Sequence, residues 1–394
     1  MMNFTPTGKL VRQSTSPEPF DAFLPNLLPP TPPVTIDAAL EEAIERASVA
    51  LGRLDGITLL IPNPDLFLYM FVRKEAVLSS QIEGTQSSLS DLLKFENDAA
   101  PGVPIEDVRE TVNYVKAMQH GLERLKKGFP LSLRLLREIH AVLLKDARGG
   151  HKTPGEFRTS QNWIGGSRPG NARFVPPPPS ELPNLLGNLE RFFHDDPVRV
   201  STLLKAAIAH VQFETIHPFL DGNGRLGRLL ITFVLCSEGV LSQPLLYLSL
   251  FLKTHRDEYY DALQRVRTDG DWRGWINFYL QGIHEVARTA TDTAQTIVRL
   301  FEVDQKRIHK FGKAAGSALR VHELLKNKAV MSVPQAAAEL GLTPPTVASA
   351  TERLEGLGIV REITGKRRDR RFVYSEYEKI LNAGTETQPA GTHG

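Results

Sequence analysis

The run His217-Pro218-Phe219-Leu220-Asp221-Gly222-Asn223-Gly224-Arg225-Leu226-Gly227-Arg228 gathers in twelve residues the groups that chemistry on a polyphosphate needs. His217 is the local side chain able to take a proton near neutral pH. Asp221 offers a hard oxygen of the kind Mg²⁺ takes when it bridges phosphates. Gly222 and Gly224 flank Asn223 where a helix begins, so main-chain N–H groups and the positive end of the helix dipole can turn toward an anion. Arg225 and Arg228, three apart, share one face of that helix's first turn. Two guanidinium groups beside such an anion nest make a polyphosphate site. Each part alone is an ordinary structural feature; their order within one short stretch points to a base, a metal ligand, a cradle and a cationic clamp.

The elements that must position this stretch read as mainly helical. Asp37 can cap a helix running to about Leu51, and Asn63-Pro64-Asp65 opens another that ends near Gly84. Further helices are expected over 105–126, 131–145, 180–194, 199–214, 223–237 and 254–268, with a long one over 271–308. One hairpin is expected, pairing 161–164 with 173–175 across the turn-rich Gly165–Asn171 segment. The chain divides into a Pro-rich extended arm (1–34), an N-terminal helical region (35–110), a helical body (111–312), a module of different character (313–380) and a disordered tail (381–394). In that module Ser332-Val333-Pro334 opens a short helix broken at Gly341, and Thr343 caps a second one with Pro344 at its first position. Two alternating segments, 359–363 and 371–377, follow around a polar turn, which is a winged helix-turn-helix pattern. The fold class is therefore mainly α, with a β-hairpin flap and a C-terminal winged-helix domain.

The motif HPFLDGNGRLGR resembles the signature of the Fic family, HPFx(D/E)GN(G)RxxR, at every specified position. The likeness extends over about residues 60–290, taking in GEFRTSQNWIGG…ARFVPPPP (155–179), which looks like the family's flap, and EYYDAL…GDWRGWINFYL (258–280). The resemblance implies a protein adenylyltransferase that moves AMP from ATP to a Ser, Thr or Tyr hydroxyl of a target protein. His217 would deprotonate the hydroxyl and Asp221 would hold Mg²⁺. Gly222, Asn223 and Gly224 would cradle phosphate oxygens, and Arg225 and Arg228 would neutralise pyrophosphate. Family kinases tend to carry Lys at the position of Gly224. Tyr260 is placed with the nucleotide-binding residues, and Trp163, Ile164, Arg173 and Phe174 with a flap that docks the target through main-chain pairing. Ser79-Ser80-Gln81-Ile82-Glu83-Gly84 resembles the family's inhibitory motif, (S/T)xxxE(G/N). Gly84 would follow the end of its helix and leave Glu83 at the negative end of the dipole, in need of a cation. The resemblance names that cation as Arg228 and puts the chain among members whose inhibitory helix precedes the catalytic loop.

Composition bounds the rest. The chain of 394 residues has 47 Lys+Arg against 45 Asp+Glu and one cysteine, Cys236. No intramolecular disulfide framework or thiolate-rich zinc site is possible. The longest apolar run, Leu229–Cys236, is too short for a bilayer, and the N-terminus lacks the apolar stretch of a signal peptide, so a cytoplasmic protein without membrane partners is expected. Between 313 and 380 lie 12 basic and 8 acidic residues, +4, which leaves −2 elsewhere. Any DNA affinity would then reside in that module, with Arg353, Lys366, Arg367 and Arg368 as candidates, although the expected recognition helix is poor in base-reading side chains. Expected partners are a protein target with an exposed hydroxyl, the chain itself as a target, and a second copy in a homodimer. Two alternatives stand beside AMP transfer: a nucleotide-responsive regulator that binds DNA, and an enzyme that removes AMP.

Overall fold

The computed structural model describes residues 7–14, 18–57, 64–96, 102–147, 149–365 and 370–386. Two strands open it, β1 (Gly8–Gln13) and β2 (Phe20–Pro25), antiparallel with Gly8 opposite Pro25 and Gln13 opposite Phe20. The extended arm expected over 1–34 is thus partly a hairpin. Alternation in Phe20-Asp21-Ala22 turns Phe20 and Ala22 inward.

Helices follow: α1 (Ala38–Ile57), α2 (Pro64–Ile82), α3 (Leu89–Glu96), α4 (Ile105–Lys126), α5 (Leu133–Leu143), α6 (Leu182–Phe193), α7 (Thr202–Ile216), α8 (Asn223–Ser237), α9 (Ser249–Thr254), α10 (Arg256–Asp269) and α11 (Trp272–His309). Asp37 caps α1, its Oδ1 accepting from Leu40 N at 3.0 Å. The pair α7 and α8 lies at the centre. Every residue of α7 from Leu203 to Ile216 is buried, as are Leu226 to Leu235 of α8. A helix buried on all sides draws its stability from packing rather than from an amphipathic stripe. Each Leu, Ile or Phe fully removed from water there contributes roughly 1.5–3 kcal/mol. Cys236 lies at the end of α8, half-buried, with burial pushing its thiol up to about 12, so it is an inert thiol.

Helix α11, 38 residues and so about 57 Å long, packs on α1 and reaches into the C-terminal module. That module comprises α12 (Ala315–Lys328), β3 (Val330–Ser332), α13 (Val333–Leu340), α14 (Pro344–Gly356), β4 (Val360–Glu362), β5 (Arg371–Tyr374) and α15 (Ser375–Asn382). Its sheet is antiparallel in the order β3-β5-β4. A buried network joins it to α11: Tyr374 Oη donates to Asp304 Oδ2 at 2.8 Å and accepts from His322 Nε2 at 3.0 Å. The strand expected over 371–377 ends at Tyr374, where α15 begins. Helix α15 runs into the segment expected to be disordered, and residues 383–386 dock on the body. The molecule is mainly helical with small sheets, and among the described residues no helix is long and apolar enough to cross a membrane.

The flap expected over 161–175 is slighter than a two-stranded hairpin. Ile164 and Phe174 form a single bridge, exchanging N–H···O bonds of 2.8 and 3.1 Å. The main chain continues through Val175, whose carbonyl accepts from Phe23 N of β2 at 2.9 Å. The N-terminal hairpin therefore flanks the flap.

Candidate active site

His217 ends α7 in the left-handed conformation, φ 50° and ψ 58°. That reversal, followed by Pro218, carries the chain out of the helix and back into α8, which starts after Gly222 at φ 76°. The loop between is held by its own side chain and by distant ones. Asn223 Oδ1 accepts from Phe219 N at 2.9 Å and its Nδ2 donates to Phe219 O at 2.8 Å. The Asn223 side chain thus clamps the loop whose main-chain N–H groups were expected to cradle phosphate, a local side-chain to main-chain bond that capping chemistry could have revealed.

Arg158, 2% exposed, reaches the same loop from the segment before the flap. Its Nε donates to His217 O at 2.9 Å, and its Nη2 donates to Pro177 O at 2.6 Å and Ile216 O at 3.3 Å. Asn162 Nδ2 adds bonds to Phe219 O and His217 O at 2.9 and 3.3 Å. His140 stacks on Phe219 with ring centres 3.7 Å apart. Its Nδ1 accepts from Gly155 N, so Nε2 carries the hydrogen and donates to Asp221 O at 2.9 Å. None of these three had a signal in local spacing, because their partners lie tens of residues away.

The loop's electrostatics follow from this enclosure. Burial, with the charges of Arg267 and Arg158, pushes the His217 imidazole down to about 3, so it is neutral and able to accept a proton. Arg267 of α10 donates to Thr215 Oγ1 (3.1 Å) and Glu214 O (3.3 Å), and its guanidinium lies 4.0 Å from the ring centre of Phe174. It ties the end of α7 to the flap. Glu214, on the turn before His217, is raised to about 7 by burial, an effect that the Arg228 charge only partly offsets.

The two loop arginines have different surroundings. Arg225 Nη1 pairs with Glu110 Oε2 of α4 at 3.0 Å, with side-chain exposures of 4% and 1%, and its Nη2 lies 3.4 Å from Asp221 Oδ1. Arg228 is taken up by α2 and the turn that follows it. Nε donates to Ser79 Oγ at 2.8 Å, and Nη2 donates to Ser79 O at 3.0 Å and Glu83 Oε1 at 2.7 Å. Glu83 follows the last residue of α2, and Gly84 at φ 99° turns the chain away. Burial would raise the Glu83 carboxyl, but Arg228, then Arg225 and His217, outweigh it and hold the group below its ordinary value. A Cβ on Gly224 would lie 2.3 Å from Glu83 Oε1, so glycine is what lets the carboxylate close on the start of α8.

Asp221 is more open, its side chain 37% exposed. Oδ1 accepts from Gly222 N at 2.6 Å. Among the described residues no cluster of three or more His, Cys, Asp or Glu could hold a metal, so a cation here would take one protein carboxylate and complete its shell with phosphate and water. That is the habit of Mg²⁺. Tyr260 is half-buried beside Tyr259, ring centres 5.1 Å apart, and feels the charges of Glu83 and Arg228. Tyr259 itself is buried and bonded to His210 Nε2 at 2.9 Å. Of the flap residues, Trp163 is 39% exposed, Ile164 half-buried and Phe174 buried, while Arg173 is exposed and paired with Asp261 at 3.0 Å. Arg353 is exposed on α14, and Lys366, Arg367 and Arg368 lie outside the described residues.

The profile of the Fic/DOC family N-terminal region matches residues 41–123, and that of the Fic/DOC family matches residues 130–235. The chain is 31% identical over 262 residues to the protein adenylyltransferase Fic of Aedes aegypti, covering 61% of this chain and 49% of that protein. It is 28% identical over 177 residues to a probable protein adenylyltransferase of Aquifex aeolicus, covering 45% of this chain and 51% of that protein. The chain thus spans about half the length of the curated relatives it matches. The crystal structure of a Fic family protein from Desulfovibrio desulfuricans superposes with a TM-score of 0.57 at 19% identity, covering 87% of this chain and 98% of that one. A Fic domain containing signaling protein from Bacteroides thetaiotaomicron gives 0.51 at 19% identity, over 66% of this chain and 97% of that one. At such identities the superpositions speak for the fold alone. Sequence motif, profile matches and fold agree in a likeness to the Fic/DOC family over residues 41–123 and 130–235.

Proposed function

We propose that this chain transfers AMP from ATP to hydroxyl side chains of proteins and is restrained by its own Glu83. The observation that carries the reading is the Glu83 carboxylate seated on Arg228 at 2.7 Å, in the second turn of α8 where the motif presents its cationic clamp. In the reaction the target hydroxyl oxygen attacks the α-phosphorus. The bond from that phosphorus to the bridging oxygen breaks, pyrophosphate leaves, and the hydroxyl proton passes to the neutral His217. Positioning and charge stabilisation carry most of such a transfer. Arg228 would meet the terminal phosphates, which it can do only after giving up Glu83. Arg225, paired with Glu110, orients Asp221 rather than standing free for the leaving group. Asp221 would hold Mg²⁺, which when bound neutralises phosphate charge.

ATP labelled at the α-phosphate separates the reaction classes. Label on protein from α-labelled but not γ-labelled ATP, lost with His217→Ala, is the expected result; label from γ-labelled ATP alone contradicts it. Self-modification and a homodimer remain part of the proposal, read from the same gel and from the mass of the particle in solution.

A second reading concerns residues 313–380, which we take as a winged helix. Three helices and the β3-β5-β4 sheet support it, and α14 leaves Arg353 exposed. Its role as a DNA-binding regulator is tested by a gel shift on random duplexes, where a sequence-independent shift abolished by modest salt would argue for phosphate contact alone.

A further inference from the structure

The C-terminal end of the described chain lies across the helix that carries Glu83. Lys74 of α2, 3% exposed, donates Nζ to Ala383 O at 2.7 Å. Gln81, two residues before Glu83, spends both hydrogens of its amide on carbonyls, Ser87 O and Thr385 O, each at 2.9 Å. Lys253 of α9 donates to Glu386 O at 2.9 Å. Thr385 is 1% exposed, and its N–H and hydroxyl both bond to Asn382 O at 2.8 Å, closing the turn after α15. Gly384 has φ 82°, and a Cβ there would lie 2.8 Å from Leu250 Cδ1. Six residues before Gly384, Glu378 of α15 accepts from Ser90 Oγ of α3 at 3.0 Å.

From these contacts we infer that residues 383–386 are a strap that holds the end of α2, and with it Glu83, against Arg228. The inference rests on the proposed restraint, and adds its control: the strap is the continuation of α15, so the C-terminal module is mechanically linked to the Glu83–Arg228 pair. Whatever draws α15 away from α3 and α2 frees Gln81, and the turn that presents Glu83 loses its outer support. The carbonyls that take part are main-chain groups, so the link depends on the path of the strap rather than on its side chains, and Gly384 is the point where that path is most easily broken.

The test uses the full chain, the Gly384→Val variant and a variant lacking residues 383–394. Hydrogen exchange of amides 79–86, measured without nucleotide, should quicken about tenfold in both variants, as expected from losing one or two hydrogen bonds that pin the turn. AMP transfer should rise in both, yet neither change should add to the rate of Glu83→Gly. Unchanged exchange at 79–86 in both variants overturns the strap, as does equal activation with and without Glu83. Faster exchange with no transfer from any variant supports the strap and overturns the catalytic reading instead.

Discussion

Between His217 and Arg228 the two arginine side chains are met by Ser79 and Glu83 from α2 and its turn and by Glu110 from α4, while the loop's carbonyls are met by His140 from α5, Arg158 before the flap and Asn162 at its start. In the C-terminal module the interior polar network is short, Asp304, Tyr374 and His322, and it serves to seat the module on α11. The face of α14 carrying Arg353 is left to solvent. Similar residue types thus do different work. In the loop, each group's role is set by a partner distant in sequence, so a substitution there changes chemistry or strands a charge. In the module, charges on the outside can change with little effect on the body.

Four single substitutions and one double variant sharpen or break that contrast. His217→Ala removes the proposed base and should lower the proposed AMP transfer by about 10²–10⁴-fold, measured as initial rate of label incorporation. Arg225→Met should destabilise the fold by about 3–5 kcal/mol in urea unfolding, because Glu110 is left buried without its guanidinium. The double variant Arg225→Met with Glu110→Leu should recover most of that loss, and if it does not, the pair is not what holds α4 to α8. Glu214→Gln tests the raised carboxyl. Its folded value near 7 exceeds the ordinary 4.5, so its stabilising contribution is full below about 4.5 and lost as pH rises through 7. Wild type should therefore lose on the order of 3 kcal/mol between those limits, and the Gln variant should show a flatter profile in thermal melts. Arg353→Ala, at the exposed end of the contrast, should leave both the melting temperature and the transfer rate unchanged; a loss of transfer would show that the two regions are coupled through that face.

Much of the site was legible because its parts are neighbours in sequence. His217, Asp221 and the two arginines fall in one stretch, and the turn at Gly84 announces where Glu83 sits. The partners were not legible. Arg158 was visible only as part of a flap-like segment, since three of the carbonyls it binds belong to residues 177, 216 and 217. Glu110 looked like any acid in the early turns of a helix, and only the packing of α4 on α8 makes it the counter-charge of Arg225. Arg225 and Arg228, alike in spacing, differ in their partners for the same reason. In the fold, proline-rich composition hid β1 and β2, whose strands are six residues each and depend on pairing with one another. The polar end of the chain read as a tail because its anchorage is through main-chain carbonyls, which no side-chain pattern reports.

The central claim is that Glu83 and the terminal phosphates compete for Arg228, and one comparison of rates tests it most directly. Wild type, Glu83→Gly, and Glu83→Gly combined with His217→Ala are incubated with α-labelled ATP and Mg²⁺. Breaking a hydrogen bond to a charged group, about 1.5–3 kcal/mol, predicts that Glu83→Gly labels protein roughly ten- to hundredfold faster than wild type. The added His217→Ala should abolish that gain. Equal labelling by wild type and Glu83→Gly would contradict the account.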